Sequence, residues 1–498
     1  MEYARLADGA DGGGDGEAVE LFSVGAVGSD DGVPLSSGEA SMEEVEVYES
    51  ERHEEPPRLS FGRMFALNSF WLSWNIIWFI LFVVTIPSQV KSMVGDDDKG
   101  RGLSILFGIS GTFNVFLAIA MGVISDRVHT RFGRRRFWVA IGSAGMVLTL
   151  IGMGLITNFA WYAVVYGLTV VFSVVNGSPY NALLAEVVAS SQRSTASAFY
   201  GAFTQLGYLL GAALGLGYVA MGPPALYAVL AALLVMGTLP TLLFVRETPG
   251  KHHDHGPLFR VPPPPLKSAR LFARWTWDEL VMPWIEPLVK HHDFRWVFIT
   301  RFLMQMGQYT VQEFLQYWLG ACVSLPIWGD DGETVPAETM VSLVLLPMIV
   351  AAAIGAASIG PITERFPRSR GSRKLPLTSA ALIMTSCCVG FIFVTDWTAA
   401  IGIATVFGLG FGAFLAVDWA LVMDVLPSAH TAARDVAIWH TALVLPQVAA
   451  TPVAGLIIDF VGSRRGEGAC LSYQLVWTLA ASYLFLAGIL VWRLRAVK

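Results

Sequence analysis

Long apolar stretches recur along the chain between residues 65 and 492, and short polar segments separate them. Each stretch holds roughly 20 mainly apolar residues, the length that a helix needs to cross the hydrocarbon core of a bilayer. The pattern predicts twelve transmembrane helices, at about 65–88, 103–124, 137–156, 159–184, 196–220, 225–245, 296–320, 340–360, 375–394, 397–423, 435–459 and 470–492. Six lie on each side of a long polar loop at 246–294, so the sequence predicts an all-α membrane protein.

Two loops in corresponding positions of the six-helix halves carry related sequences. GVISDRVHTRFGRRR at 122–136 returns without gaps as GPITERFPRSRGSRK at 360–374, an offset of 238 positions (364 − 126). The same offset aligns ALLAEV at 182–187 with ALVMDV at 420–425. Internal repeats in a membrane chain are typical of transporters that bind substrate between two related halves near the bilayer midplane. We therefore expect pseudo-symmetric halves at 61–245 and 295–498.

Composition agrees with a membrane protein, because 54% of the residues are hydrophobic and only 14% are charged. Residues 1–60 differ, since they are rich in Gly, Ser, Asp and Glu, and we expect them to form a disordered acidic tail. The sequence contains no phosphate-binding Gly-Lys-Ser/Thr loop, nucleophile elbow or metal-ligand helix. We therefore predict a protein that is not an enzyme, needs no cofactor or metal, and binds no nucleic acid.

Basic residues concentrate on one side of the predicted bundle. Both repeated loops, the middle loop and the C-terminal end are rich in Lys and Arg. Short loops of this kind stay in the cytoplasm, and with an even number of helices both termini lie there as well. We expect a multi-pass protein of a plasma membrane or vacuolar-type membrane, and a monomer.

The middle loop at 246–294 combines three kinds of sequence. His252, His253 and His255 could bind zinc, but no second ligand cluster has a usable spacing, so a solvated loop is the favoured interpretation. Four prolines at 262–265 form a stiff spacer. Residues 266–290 mix Lys and Arg with Trp, which is typical of an amphipathic helix in the headgroup layer.

Cys322 and Cys470 both fall at predicted helix ends on the side opposite the basic loops. An oxidising exterior would permit a disulfide there, but the sequence does not determine the distance between them.

The repeated loops also place acids and arginines where they could clamp neighbouring helix ends. We expect Glu186 to pair with Arg135, and Asp424 to pair with Arg373. The alternative is that the arginines only set topology, but topology does not explain why the acids and the glycine recur in register. The predicted cytoplasmic gate consists of Asp126, Arg127, Gly133, Arg135, Glu186, Glu364, Arg365, Arg373 and Asp424.

The loop at 122–136, written G-x-x-S-D-R-x-x-x-R-F-G-R-R-R, resembles the signature of the major facilitator superfamily. Its spacing, its GRRR run at 133–136 and SPYNALLAEV at 178–187 resemble the glycoside-pentoside-hexuronide symporters and the related plant sucrose transporters. The resemblance covers about 65–492. It implies the major facilitator fold and alternating access driven by a cation gradient, most often with sugars as cargo.

Three features depart from that group. Phe137 stands where the sugar-transporting relatives usually have Pro. The second predicted helix has no acid, although melibiose-type symporters bind sodium with carboxylates there, and the fourth lacks the mid-membrane acid of the sucrose transporters. Sodium binding of the melibiose type and proton coupling through the fourth helix are therefore not expected.

Polar side chains inside predicted helices mark candidate solute contacts, because such groups are costly in lipid and normally face a cavity or a partner. In the first helix, two amides and two indoles share one face and suit sugar hydroxyls and C–H faces, although helix packing or an interfacial aromatic belt is the alternative. In the seventh, amides that donate and accept form a second wall. The predicted solute contacts are Asn68, Trp71, Asn75, Trp78, Gln305, Gln308, Tyr309, Gln312 and Gln316.

Glu313 is the first candidate for proton coupling, because a carboxyl in a low-dielectric cavity takes up a proton more readily than in water. Asp418 could equally join the gate, and His440 could simply hydrogen-bond a neighbour. We predict proton symport of a small polar solute, with a sugar as the expected class. The alternatives are export or facilitated diffusion of another metabolite or organic acid, and a sensor that kept the fold without transport.

Overall fold

The computed structural model describes residues 57–495 except 128–129, 131, 248–273, 275–276, 278–281, 328–331, 366–372, 426–431 and 463–468. The acidic tail up to residue 56, the histidine cluster at 252–255 and the prolines at 262–265 lie outside the described residues.

Twelve long helices, six on each side of the middle loop, form the described part of the chain. The first half contains α1 (Phe61–Val94), α2 (Lys99–Arg127), α3 (Arg135–Leu155), α4 (Phe159–Val187), α5 (Arg193–Gly215) and α6 (Tyr218–Phe244). The second contains α7 (His292–Cys322), α8 (Ala337–Arg365), α9 (Lys374–Phe393), α10 (Trp397–Val425), α11 (Ala432–Gly462) and α12 (Ala469–Leu490). The prediction of an all-α membrane protein is confirmed.

By length and composition alone, nine of these helices could cross a membrane within the described residues. The others, α2, α5 and α7, are 29, 23 and 31 residues long. The polar residues of α7 reduce its mean hydropathy, although its length is more than sufficient for a bilayer. α7 begins at His292, slightly before the predicted start of the second half. A short helix, Met282–Lys290, directly precedes it.

The short helix Met282–Lys290 is the part of the predicted amphipathic segment that is described as a continuous helix. It exposes Met282 and Val289, and Glu286 pairs with Lys290 one turn later at 2.6 Å. Its position in the headgroup layer remains a prediction.

The helices pack in the same pattern in both halves. α1 contacts α5 and α6 as α7 contacts α11 and α12, and α3 contacts α4 and α6 as α9 contacts α10 and α12. Between the halves, α2 packs against α11, α5 packs against α8, and α1 meets α7. The pairs α2–α11 and α8–α5 correspond under the repeat, so the contact surface between the halves is itself pseudo-symmetric.

One helix departs from regular geometry where the halves meet. In α1, a π-helical segment, Leu81–Thr85, separates two α-helical parts, Phe61–Ile80 and Ile86–Val94. Pro87, the second residue after this segment, has no N–H to offer the carbonyl of Val83. The segment therefore leaves backbone oxygens of α1 available to another helix.

Candidate solute and coupling site

The two ends of the helix bundle differ in the charge of their loops. The basic side carries the repeated loops at 122–136 and 360–374, and the far side carries the turn at 95–98 and the segment at 323–336. On the far side, α1 and α7 are joined by hydrogen bonds between the halves. The Gln316 amide donates to Val83 O at 2.8 Å and to Val84 O at 3.2 Å, and the Tyr317 hydroxyl donates to Pro87 O at 2.8 Å. Gln316 thus supplies the hydrogen bond that Pro87 removes from α1.

Further polar contacts between the halves lie at the same end. Ser88 Oγ is 2.6 Å from the Gln316 amide and 3.2 Å from Glu338 Oε1 of α8. The Lys99 ammonium lies 5.2 Å from the ring centroid of Tyr317 and donates to Asp96 Oδ1 at 2.8 Å. This hydrogen bond and the lysine charge lower the pKa of the Asp96 carboxyl below its ordinary value. The described contacts therefore hold the halves together on the far side.

Some polar groups of the predicted stripe on α1 have hydrogen-bond partners, and others have none in the described structure. Trp71 Nε1 donates to Thr204 Oγ1 at 2.7 Å, and its ring stacks on Tyr200 with 4.2 Å between centroids. The Asn75 amide donates to Trp71 O at 2.7 Å. Trp78 Nε1 and Asn68 Oδ1, by contrast, are buried without a hydrogen-bond partner in the described structure. Trp71 thus holds α1 against α5, whereas Trp78 retains an unused donor.

The glutamines of α7 also differ in whether they have hydrogen-bond partners in the described structure. Gln316 is occupied by the contact with α1. Gln305 and Gln308 are buried, and neither Oε1 atom has a hydrogen-bond partner in the described structure. Gln312 and Tyr309 are half-buried on the same helix. α7 therefore presents two unused amide oxygens beside two partly accessible polar side chains.

Glu313 lies among these groups, with a side chain that is only 2% exposed. Its Oε2 accepts a hydrogen bond from the Thr451 hydroxyl of α11, while Oε1 has no partner within the described residues. Tyr166 of α4 is buried and lies close enough to Glu313 to interact with it electrostatically. No ion pair to Glu313 is found in the described part of the chain. Glu313 is therefore a buried carboxyl without a described counter-ion, at a point where helices of both halves meet.

Asp418, the second coupling candidate, forms a buried ion pair with Arg301 of α7. The Arg301 guanidinium lies 3.5 Å from the ring centroid of Trp439 on α11. The third candidate, His440, lies against the rings of Trp439 and Trp419. Sequence reasoning missed Arg301, although a charge within the predicted span 296–320 was the same signal that selected Glu313.

On the basic side, each half contains the predicted acid–arginine pair. Glu186 Oε1 lies 2.8 Å from Arg135 Nη2 and 2.6 Å from Arg134 Nη2. In the second half, Arg373 Nε lies 2.7 Å from Asp424 Oδ2. Gly133 adopts φ = +107° in the turn before α3, a conformation that favours glycine.

Four further residues of the predicted gate are placed only by their backbone. Asp126 and Arg127 end α2, and Glu364 and Arg365 end α8, but their side chains lie outside the described part of the structure. Their gate role stays a prediction.

Glu247 is a second residue that sequence reasoning missed. Its carboxylate accepts the backbone N–H groups of Arg134, Arg135 and Arg136 at 2.6, 2.9 and 2.6 Å. These N–H groups begin α3, so the acid satisfies donors that a helix start leaves without partners. The sequence feature that could have identified Glu247 is its position just beyond the end of the sixth predicted helix.

The far-side ends of α7 and α12 are covalently joined. Cys322 and Cys470, whose pairing the sequence left open, form a disulfide with 5.4 Å between their Cα atoms. Cys387 and Cys388 are free and buried. No group of three or more His, Cys, Asp or Glu side chains that could hold a metal occurs among the described residues.

Solved structures of transporters resemble this fold. The nucleoside transporter NupG matches with a TM-score of 0.63 and 12% identity, over 87% of this chain and 98% of its own. A variant of the peptide transporter POT in complex with alafosfalin matches with a TM-score of 0.64 and 12% identity, over 89% and 98%. A bacterial homologue of the human lysosomal transporter Spinster, inward-facing and unoccupied, matches with a TM-score of 0.60 and 15% identity, over 88% and 99%.

These identities are low, so the matches show the fold alone. No curated protein matches the sequence significantly. The family model described as Major Facilitator Superfamily matches residues 59–433, about three quarters of the chain. With the two pseudo-symmetric six-helix halves, this match establishes that the chain belongs to the Major Facilitator Superfamily.

Proposed function

We propose that this protein is a secondary transporter that moves a small neutral polar solute, with a sugar as the first class to test, and that Glu313 couples the movement to protons. The observation that carries the proposal is the buried Glu313 carboxyl, which lacks a described counter-ion and lies on the same helix as the unused oxygens of Gln305 and Gln308. A carboxyl in such a position can gain and lose a proton as the site opens to one side and then the other.

The chemistry of the unused groups favours a solute with hydroxyl groups. The unpartnered oxygens of Gln305 and Gln308 can accept hydrogen bonds, and Trp78 Nε1 can donate one. The hydroxyl groups of a sugar both donate and accept, so they suit both kinds of group.

An organic acid, the runner-up, is less well matched. Its carboxylate would require a cation, but Arg301 is already paired with Asp418, and both residues are almost fully buried. Binding an acid there would break an ion pair inside the bundle, which is costly.

Uptake into proteoliposomes tests the proposal. We expect an inward proton gradient to drive uptake of labelled sucrose, maltose or glucose in the wild type, and Glu313→Gln to reduce this uptake to that of protein-free liposomes. Exchange driven by the solute alone should survive in Glu313→Gln, because the amide preserves shape but carries no exchangeable acidic proton. Glu333→Gln, at an exposed far-side position, is the matched control and should transport normally.

Two results would contradict this proposal in different ways. Failure of all three sugars to enter would remove the substrate class. Equal gradient-driven uptake by the wild type and Glu313→Gln would remove Glu313 as the coupling residue and leave the transporter fold.

A further inference from the structure

The segment after α12 folds back against two other helices on the basic side. A 3₁₀ turn, Val491–Arg493, leads to Leu494, whose side chain is buried. The Leu494 carbonyl accepts a hydrogen bond from the Lys374 ammonium of α9 at 2.7 Å. The next residue, Arg495, donates its backbone N–H to Asp293 Oδ1 of α7 at 2.8 Å. The end of α12 is therefore tied to the beginnings of α7 and α9, and this junction is the α7–α9–α12 corner.

Four basic side chains meet at the α7–α9–α12 corner. Besides Lys374 and Arg495, the Arg493 guanidinium lies 5.9 Å from the ring centroid of Trp296 on α7. Arg295, which precedes Trp296, is half-buried, whereas Arg493 and Arg495 are exposed. Within the described residues, the side chains of these three arginines form no ion pair. Their positive charges are therefore not neutralised by the described part of the protein.

The corresponding corner of the first half contains an acid. Arg136, which is 238 positions before Lys374 (374 − 136), also donates to a carbonyl near the end of the sixth helix of its half, Leu242 O. There, however, the chain after α6 brings back the carboxylate of Glu247. After α12 the chain brings back Arg495 instead. The second half thus has a cation beside the corner where the first half has an anion.

Apolar surface lies directly beside these cations. Trp492 is more than half exposed, and Ile489 of α12 and Leu375 of α9 are about half exposed. α9 and α12 pack together there, since Thr378 Oγ1 donates to Gly488 O at 3.2 Å. Tryptophan and arginine next to exposed apolar side chains are typical of the level at which lipid headgroups meet the hydrocarbon core.

We propose that the α7–α9–α12 corner binds the phosphate headgroup of an anionic phospholipid through Arg295, Lys374, Arg493 and Arg495. The basic side is predicted to face the cytoplasm, and anionic lipids give the cytoplasmic leaflet its negative surface potential. Arginine suits a phosphate because its guanidinium can donate two parallel hydrogen bonds to it. The exposed surface of α9 and α12 favours a lipid over free phosphate, because acyl chains can lie against it. The proposal does not depend on which solute is transported.

Lipid binding to the purified protein tests the proposal. The delipidated full chain in detergent is titrated with dioleoylphosphatidylserine or with dioleoylphosphatidylcholine, and native mass spectrometry gives the dissociation constant of the first bound lipid. Hydrogen exchange of the amides at 292–295 and 491–495 locates the lipid, and inorganic phosphate serves as the acyl-free probe. We expect phosphatidylserine to bind about tenfold more tightly than phosphatidylcholine and to slow exchange at both segments.

The double variant Arg493→Gln/Arg495→Gln should weaken phosphatidylserine binding about 25-fold, the effect of two cations near a membrane surface. Arg493→Lys/Arg495→Lys keeps both charges and should retain most of the affinity. Arg58→Gln/Arg63→Gln is the matched control, because it removes two exposed arginines beside the start of α1 on the same side. If the first double variant does not fold, Arg295→Gln provides the test and should weaken binding about fivefold.

Three results would overturn the proposal. The first is equal binding of phosphatidylserine and phosphatidylcholine, since the cations would then not select an anionic headgroup. The second is an equal loss of affinity in Arg58→Gln/Arg63→Gln, which would show a general effect of surface charge. The third is equal protection of the two segments by inorganic phosphate, which would identify a free anion as the ligand.

Discussion

The neighbours of each polar side chain inside the bundle decide its role. Arg301 and Asp418 neutralise each other, whereas among the described residues Glu313 has a hydroxyl donor and no cation. Trp71 and Trp78 belong to one predicted stripe, yet only Trp78 has an unused N–H in the described structure. At the residue scale, sequence identifies which side chains are costly to bury, and the surroundings decide which of them remain available for a solute.

The Arg301–Asp418 pair gives a prediction about stability. Asp418→Ala should cost about 3–5 kcal/mol, because it leaves a buried guanidinium without its partner. Thermal unfolding of the purified protein in detergent measures the loss. The double variant Arg301→Met/Asp418→Leu should recover most of it, since it removes both charges. A double variant as unstable as Asp418→Ala would show that the loss does not come from an unpaired charge.

At the element scale, helix ends and irregular helical segments depend on contacts that the apolar pattern does not predict. The apolar pattern predicted where the helices lie, but the π-helical segment of α1 depends on a donor from the other half, Gln316. The start of α3 likewise depends on Glu247, which follows α6 more than a hundred residues later. Such caps are invisible to local periodicity because the capping residue is distant in sequence.

Removal of the Glu247 carboxylate should loosen the first turn of α3. We expect Glu247→Ala to cost about 1 kcal/mol, the typical worth of a helix cap, with a smaller loss for Glu247→Gln. Hydrogen exchange of the amides of residues 134–136 reports the change directly and should accelerate in Glu247→Ala. Glu333→Ala, an exposed acid elsewhere, is the control. Unchanged exchange at 134–136 would show that Glu247 does not cap α3 in solution.

At the scale of the whole molecule, the internal repeat appears as matching packing patterns and matching acid–arginine pairs. The contact between the halves has the same symmetry, through α2–α11 and α5–α8. The disulfide departs from this symmetry, because Cys322 and Cys470 join two helices of the second half only.

This disulfide predicts both thiol content and stability. The denatured chain should show two reactive thiols before reduction and four after it, because Cys387 and Cys388 are the free pair. Cys322→Ser/Cys470→Ser should lower stability by about 2–4 kcal/mol, since the bridge closes a long loop in the unfolded chain. Thiol titration and thermal unfolding measure the two effects. Four reactive thiols without reduction would contradict the bridge.

The sequence by itself determined the number and order of the helices, the two related halves and the basic side, and it predicted the pairs Glu186–Arg135 and Asp424–Arg373. These features depend on local apolar length, on local charge and on a repeat, all of which can be read along one chain. Only the tertiary structure decided that Arg301 pairs with Asp418 and that Thr451 donates to Glu313. It also decided that Gln316 and Trp71 have hydrogen-bond partners, whereas Gln305 Oε1 and Trp78 Nε1 have none in the described structure. Hydrogen bonds and ion pairs form only at short range, so they are settled by which helices pack together, and not by residue type or helical spacing.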